Sequence, residues 1–198
     1  GVSAYDASGR FFRRWGPTGG ASDRTRYVRA IAVDELGRLY RADYDGQFIL
    51  RTPIDGDATD TLWVSRTRDY DTAIESIAVD RAGWIYLLDR SAGRVVKISP
   101  EGDPAAGWIP FAGEREEDYG LSDLAFDARG RLWVVDSRGG RLEATDSSGN
   151  RIAAWSLPQD GPARNYQPYR LDFDDDGNLL LLARGNSGPR VIKLSPGG

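Results

Sequence analysis

The stretch DARGRLW, Asp127 to Trp133, decides the fold, because versions of it recur at nearly equal intervals along the chain. Each version has an aspartate, a glycine three residues later and then an apolar run. The other three are DELGRLY from Asp34, DRAGWIY from Asp80 and DDDGNLL from Asp174. The glycines, Gly37, Gly83, Gly130 and Gly177, lie 46, 47 and 47 residues apart. A fixed period of this size indicates supersecondary units that bury their apolar faces by stacking on one another.

Each unit contains four short apolar runs separated by turns, and helical periodicity is absent at useful length. The Asp-x-x-Gly turn joins the first run to the second, and a later glycine turn joins the third run to the fourth. The fourth runs carry a tryptophan at near-constant spacing: Trp15, Trp63, Trp108 and Trp155. The pattern predicts an all-β fold, a β-propeller with four-stranded antiparallel blades.

The repeats fill the chain as one domain, residues 1–198. We expect a partial blade over residues 1–15, full blades over 29–64, 75–110 and 122–157, and an incomplete blade over 169–198. The segments 1–9 and 190–198 have the same role, a third strand with its turn, so the ends overlap by one strand. The sequence is compatible with a partial propeller, a small closed ring, or copies that complete a ring between chains.

Three segments carry a family resemblance: IAVDELGRLYRAD, SIAVDRAGWIYLLD and DLAFDARGRLWVVD, which end at Asp43, Asp89 and Asp136. They resemble NHL repeats and, more distantly, lactonase-like six-bladed propellers. The fourth repeat departs from the pattern, since Ala183 stands where the others have the later aspartate. The resemblance implies a propeller that binds a partner, and it leaves open whether this chain is part of a longer one.

The composition excludes several classes of chemistry. The 198 residues contain no cysteine and no histidine, which removes disulfides, thiolate metal sites and the Ser-His-Asp and Cys-His mechanisms. The net charge of −4 argues against a polyanionic partner, and no segment predicts membrane insertion. The cellular location cannot be read from the sequence.

The long connections between an outer strand and the next inner strand fall on one rim, which predicts a partner-binding surface. They and the adjoining strand starts combine tyrosine with arginine, which suits recognition of a protein or a carbohydrate. The candidate residues are Tyr27, Arg29, Arg68, Tyr70, Tyr119, Tyr166, Tyr169 and Arg170. The alternative is that the tyrosines fill gaps between adjacent blades.

An alternative site uses acidic residues near the start of the inner strands. Glu75, Asp123 and Asp172 are candidates to hold a divalent ion such as Ca²⁺ in the central channel, as in lactonase-like sugar hydrolases. The competing expectation is that these carboxylates pair with rim arginines such as Arg29 and Arg170.

The function that the sequence favours is a non-catalytic recognition or scaffold module that needs no cofactor. A metal-dependent hydrolase of a sugar lactone or ester is the first alternative. RNA binding is the second, although the acidic total charge argues against it.

Overall fold

The computed structural model describes residues 1–16, 28–43, 48–64, 73–112, 120–157, 166–186 and 188–195. The described residues form seventeen β-strands in five antiparallel sheets. No helix among them is long and apolar enough to cross a membrane. The expected all-β propeller of antiparallel blades is confirmed.

The sheets follow the repeats. The amino-terminal ribbon consists of β1 (Val2–Tyr5) and β2 (Phe11–Trp15). Blade 1 consists of β3 (Val28–Val33), β4 (Arg38–Asp43), β5 (Phe48–Pro53) and β6 (Asp60–Val64). Blade 2 consists of β7 (Ile74–Val79), β8 (Ile85–Asp89), β9 (Arg94–Ile98) and β10 (Pro104–Trp108).

Blade 3 consists of β11 (Leu121–Phe126), β12 (Leu132–Asp136), β13 (Arg141–Thr145) and β14 (Arg151–Ser156). Blade 4 consists of β15 (Gln167–Phe173), β16 (Leu179–Gly185) and β17 (Gly188–Leu194). Within each sheet the strands pair in sequence order, so every blade is a simple meander. The inner strands β3, β7, β11 and β15 pack successively on one another around a common axis.

The turn between the first two strands of each blade explains why the aspartate and the glycine recur. The side chain of Asp80 accepts hydrogen bonds from the backbone N–H groups of Ala82 and Trp84, both at 2.9 Å. Gly83 has a φ of 84°, a left-handed conformation that suits glycine, and its N–H donates to the carbonyl oxygen of Asp80. The same bonds recur at Asp34 and Asp127, so these aspartates close turns.

The apolar core lies between blades and not within one of them. Ile49 of blade 1 packs with Ile77 of blade 2, Val95 of blade 2 with Leu124 of blade 3, and Leu142 of blade 3 with Leu171 of blade 4. The second strand of a blade is covered on both faces, and all five residues of β8 are buried. This packing fixes the rotation from one blade to the next and therefore the position of every inner strand.

Candidate functional site

Each inner strand contains a β-bulge close to its beginning. The strand register shifts between Val28 and Ala30, between Ile74 and Ser76, between Leu121 and Asp123, and between Pro168 and Arg170. The bulged residues are Arg29, Glu75, Ser122 and Tyr169, and they are spaced like the turn glycines, 46, 47 and 47 residues apart. Bulges re-aim side chains and are frequent beside binding sites. We call this end of the propeller, with the four bulged residues, the mouth.

At the mouth, one carboxylate lies within ion-pair distance of three arginines from three different blades. Glu75 Oε2 accepts a hydrogen bond from Arg29 Nη2 of blade 1 and lies 3.9 Å from Arg90 Nη1 of its own blade. Glu75 Oε1 lies 3.4 Å from Arg170 Nη2 of blade 4. The side chain of Glu75 is 9% exposed, whereas those of Arg29, Arg90 and Arg170 are 37%, 52% and 43% exposed. Three partly exposed guanidinium groups therefore face one buried carboxylate at the mouth.

Backbone contacts hold the guanidinium of Arg170 in place. Its Nη1 donates to the carbonyl oxygen of Ser122, at the bulge of blade 3, and to that of Tyr169 at 3.1 Å. Arg170 therefore connects the bulges of blades 2, 3 and 4. Such anchoring lowers the entropy cost of ordering a long side chain when a ligand binds.

Asp123 lies next to this cluster and links three blades from a buried position. Its Oδ1 accepts a 2.6 Å hydrogen bond from Ser76 Oγ of blade 2, and its Oδ2 accepts a 2.9 Å bond from the N–H of Leu171 in blade 4. Burial raises the pKa of Asp123, and the bonds from Ser76 and Leu171 offset that effect only in part. Through these hydrogen bonds Asp123 holds blades 2, 3 and 4 together next to the mouth.

The three carboxylates predicted to bind a metal occupy three different positions of the repeat. Glu75 is a bulged residue, Asp123 stands one residue after the bulge, and Asp172 stands three residues after it. Asp172 is exposed, and its carboxylate accepts the N–H of the adjacent Phe173. Within the described ranges, no group of three His, Cys, Asp or Glu side chains could hold a metal ion. The sequence already indicated that these carboxylates are not equivalent. They lie 48 and 49 residues apart, whereas the repeats are 46 or 47 residues apart.

The predicted rim residues have different outcomes. Tyr27, Arg68, Tyr70 and Tyr119 lie outside the described residues. Arg29 and Arg170 meet at Glu75, and Tyr169 is half-buried at the bulge of blade 4.

Tyr166 is buried. Its ring lies so close to Gly185 that a Cβ there would come within 2.8 Å of it, and the guanidinium of Arg190 lies 5.2 Å from the ring centroid. Both contacts of this tyrosine lie within blade 4 and not between adjacent blades.

The sequence analysis missed Arg90, Ser76 and Ser122 as members of the site. Ser76 and Ser122 could have been found by aligning the repeats on their turn glycines, since they fall at or beside the bulge position. Arg90 follows β8 directly and reaches Glu75 across the hairpin, a contact for which the sequence holds no signal.

The comparisons with known proteins support the propeller fold. No protein-family model and no curated protein sequence matches the chain. Among solved structures, it resembles a catalytically inactive histidine-to-alanine variant of virginiamycin B lyase from Staphylococcus aureus with quinupristin, with a TM-score of 0.66 and 15% identity over 98% of this chain. Further matches are a nidogen/laminin complex, with a TM-score of 0.61 and 20% identity over 83% of this chain, and YCF48 bound to D1 peptide, with 0.60 and 13% over 85%.

These similarities define the fold and leave the function open. The chain spans 62%, 60% and 50% of the lengths of those three structures. The neighbours include an enzyme and proteins that bind other proteins, and the NHL assignment in particular stays a prediction.

Proposed function

We propose that this protein is a non-catalytic recognition module whose mouth binds an acidic segment of a protein partner. The observation that carries the proposal is the convergence of Arg29, Arg90 and Arg170 on the single carboxylate of Glu75. Guanidinium groups pair with carboxylates through two parallel hydrogen bonds, and arginine is enriched in binding hot spots.

The exposure of the cluster favours a ligand with negative charge. The side chains of Arg29, Arg90 and Arg170 keep 37% to 52% of their surface exposed while they face Glu75. An acidic side chain that enters the mouth can therefore approach the outer surface of these guanidinium groups. Tyr169, half-buried at the neighbouring bulge, adds aromatic surface to the same end of the propeller.

Two features favour binding of a protein over catalysis. The chain offers no histidine, whereas the neighbouring lyase is described as catalytically inactive when a histidine is replaced by alanine. Two other propeller neighbours were solved with protein or peptide partners, the nidogen/laminin complex and YCF48 with D1 peptide.

The test measures binding of a fluorescein-labelled oligoglutamate peptide by fluorescence anisotropy. We expect Arg170→Gln and Arg90→Gln each to weaken the affinity about tenfold, because each removes one charged donor from the mouth. We expect Glu75→Gln to strengthen the affinity several-fold, because it removes the internal competitor for the arginines.

Arg81→Gln is the matched control. Arg81 is exposed, pairs with Glu35, and lies in the turn at the opposite end of its inner strand, so its loss should leave the affinity unchanged. The proposal is overturned if the peptide does not bind, or if both Arg170→Gln and Arg90→Gln bind it like the wild type. Tighter binding of an oligogalacturonate or of an RNA oligonucleotide would also overturn it in favour of a carbohydrate or nucleic-acid partner.

A further inference from the structure

The residue that directly follows the bulge differs in charge from blade to blade. The strand register makes four residues equivalent at this position: Ala30, Ser76, Asp123 and Arg170. Blades 1 and 2 form the same strand with an uncharged residue, so the fold does not require a charge there. Asp123 is 8% exposed, and a buried carboxylate is costly unless hydrogen bonds compensate for the lost water. The charged pair in blades 3 and 4 therefore points to a role beyond folding.

Asp123 and Arg170 hold each other's strands through two hydrogen bonds that run in opposite directions. Asp123 Oδ2 accepts the N–H of Leu171, the residue after Arg170, at 2.9 Å. Arg170 Nη1 donates to the carbonyl oxygen of Ser122, the residue before Asp123. Each charged side chain is therefore bonded to the backbone beside the other, and we call this pair of contacts the clasp.

The clasp leaves one edge of the Arg170 guanidinium directed at the mouth. Nη1 donates to the carbonyl oxygens of Ser122 and Tyr169, so its two N–H bonds are used inside the protein. Nη2 faces Glu75, with 3.4 Å to Oε1, and 43% of the arginine side chain is exposed. An arginine held in this way has lost rotamer freedom before a ligand arrives, which lowers the entropy cost of binding.

Asp123 is itself held at both oxygens. Ser76 Oγ of blade 2 donates to Oδ1 at 2.6 Å, and the N–H of Leu171 donates to Oδ2. Burial raises the pKa of Asp123, and the positive charge of Arg170 is among the effects that oppose this rise, so the two groups attract each other. A carboxylate fixed at both oxygens in turn fixes the backbone from which the Arg170 side chain extends.

We propose that Asp123 is a positioning residue of the mouth, which holds the guanidinium of Arg170 where an acidic ligand meets it. This proposal rests on the proposed function of the mouth. Asp123 is buried and its oxygens are bonded to the neighbouring blades, so it acts through Arg170 and not by contact with the ligand. Loss of its hydrogen bonds frees the strand beside Arg170, and the guanidinium then samples other orientations.

The test compares Asp123→Ala with Asp123→Asn in the anisotropy assay with the fluorescein-labelled oligoglutamate peptide. Both variants remove the negative charge, but asparagine can still accept the Leu171 N–H and donate to Ser76 Oγ. We expect Asp123→Ala to bind the peptide about tenfold more weakly than Asp123→Asn, because a mobile guanidinium has to be ordered on binding. Asp123→Asn itself should bind at least about half as tightly as the wild type.

The same comparison in the Arg170→Gln background shows whether Asp123 acts through Arg170. We expect the two Asp123 variants to bind alike there, within about twofold, because the group that Asp123 positions is absent. A role in folding alone would give the same difference in both backgrounds. If Asp123→Ala does not fold, Asp123→Val takes its place, since valine fills a similar volume without an acceptor.

Asp127→Asn is the matched control for a loss of stability. Asp127 follows directly on β11 at the end away from the mouth, and its replacement removes hydrogen bonds without touching Arg170, so this variant should bind like the wild type. Circular dichroism confirms that each variant is folded.

The outcomes separate this proposal from the proposed function. A wild type that does not bind the peptide would overturn both. Binding that Arg170→Gln weakens, but that is equal in Asp123→Ala and Asp123→Asn, would overturn the positioning role alone. A difference between these two variants that persists unchanged in the Arg170→Gln background would overturn it as well.

Discussion

The two ends of the inner strands differ in how strictly the repeats preserve their residues. At the turn end, Asp34, Asp80 and Asp127 make the same contacts: one oxygen accepts backbone N–H groups, and the other accepts a bond from an aromatic residue six positions later. At the mouth, the equivalent bulged positions hold four different residues: Arg29, Glu75, Ser122 and Tyr169. The turn aspartate recurs in every blade because it stabilises the fold. The bulged positions keep their backbone geometry but vary in side chain, so they are free to form a binding site.

Among the substitutions that test this comparison, the largest loss of stability is expected at a turn glycine. Gly102 has a φ of 100°, and a Cβ there would come within 1.9 Å of the carbonyl oxygen of Leu62 in the preceding blade. We expect Gly102→Ala to lower the free energy of unfolding by about 3 kcal/mol or more, because a clash with backbone adds to the left-handed strain. Urea denaturation measures the loss.

Gly130→Ala is the control for the strain alone. Gly130 has a φ of 75°, but apart from its neighbours in the chain no atom of the described residues lies within 4 Å of the position that its Cβ would take. Its replacement should cost only about 1 kcal/mol. Equal losses for the two variants would mean that the contact between blades at Gly102 contributes nothing.

A somewhat smaller loss is expected at a turn aspartate. Asp127 accepts backbone bonds from Arg129 and Arg131, both at 2.9 Å, and its second oxygen accepts Arg131 Nε at 2.6 Å and Trp133 Nε1 at 3.0 Å. Asparagine has one acceptor oxygen where aspartate has two, so in Asp127→Asn the amide N–H₂ faces one set of these donors. We expect the free energy of unfolding to fall by about 2 kcal/mol. Asp176→Asn, at an exposed turn position, should cost almost nothing.

The pH dependence of the Asp127→Asn effect provides its check. Burial raises the pKa of Asp127, but bonds from Trp133 and Arg131 outweigh it, and the net shift is downward from 3.8. The stabilisation is therefore complete above that value and disappears as the pH falls through the folded-state pKa. The difference between wild type and variant should shrink in acid, and a difference that grows in acid would contradict the assignment.

The smallest effect is expected at Asp123, which lies next to the mouth and whose pKa shifts in the opposite direction. Asparagine can accept the Leu171 N–H with its oxygen and donate to Ser76 Oγ, so Asp123→Asn should change the stability by less than about 1 kcal/mol near neutral pH. Because burial raises the pKa of Asp123, its contribution is greatest below 3.8 and is lost as the pH rises through the folded-state pKa.

The measurement is a set of urea melts of wild type and Asp123→Asn at acidic and neutral pH. The variant should become relatively more stable as the pH rises, the reverse of Asp127→Asn. The two stability differences, for Asp127→Asn and for Asp123→Asn, should change in opposite directions with pH. A change in the same direction would contradict the distinction between the two ends of the inner strands.

Much of the fold was predictable from the repeats, because each unit carries its own turn chemistry and apolar runs. The Asp-x-x-Gly turns, the four-strand meander and the buried second strand β8 all follow from local patterns. The inner strands begin one or two residues earlier than the predicted blades, as at Val28 and Leu121. The first residue of each predicted blade is the bulged residue, and a bulge has no signature in one strand alone, because it depends on the register with the partner strand.

The candidate site was only partly predictable. Arg29, Arg170 and Glu75 were identified from their places near the inner strands, and the alternative that Glu75 pairs with these arginines is confirmed. The structure joins them at one carboxylate and separates Asp172 from it, since a shift of one residue along a strand moves a side chain to the other face.

The sequence by itself determined the number of repeats, the strands within each, the turn residues and the absence of histidine and cysteine chemistry. These properties follow from interactions within one repeat, where the residues are close in the chain. Only the tertiary structure decided which charges meet at the mouth. Glu75 and Arg170 are 95 residues apart in the chain, and the rotation between blades, set by the packed cores, brings them within 3.4 Å.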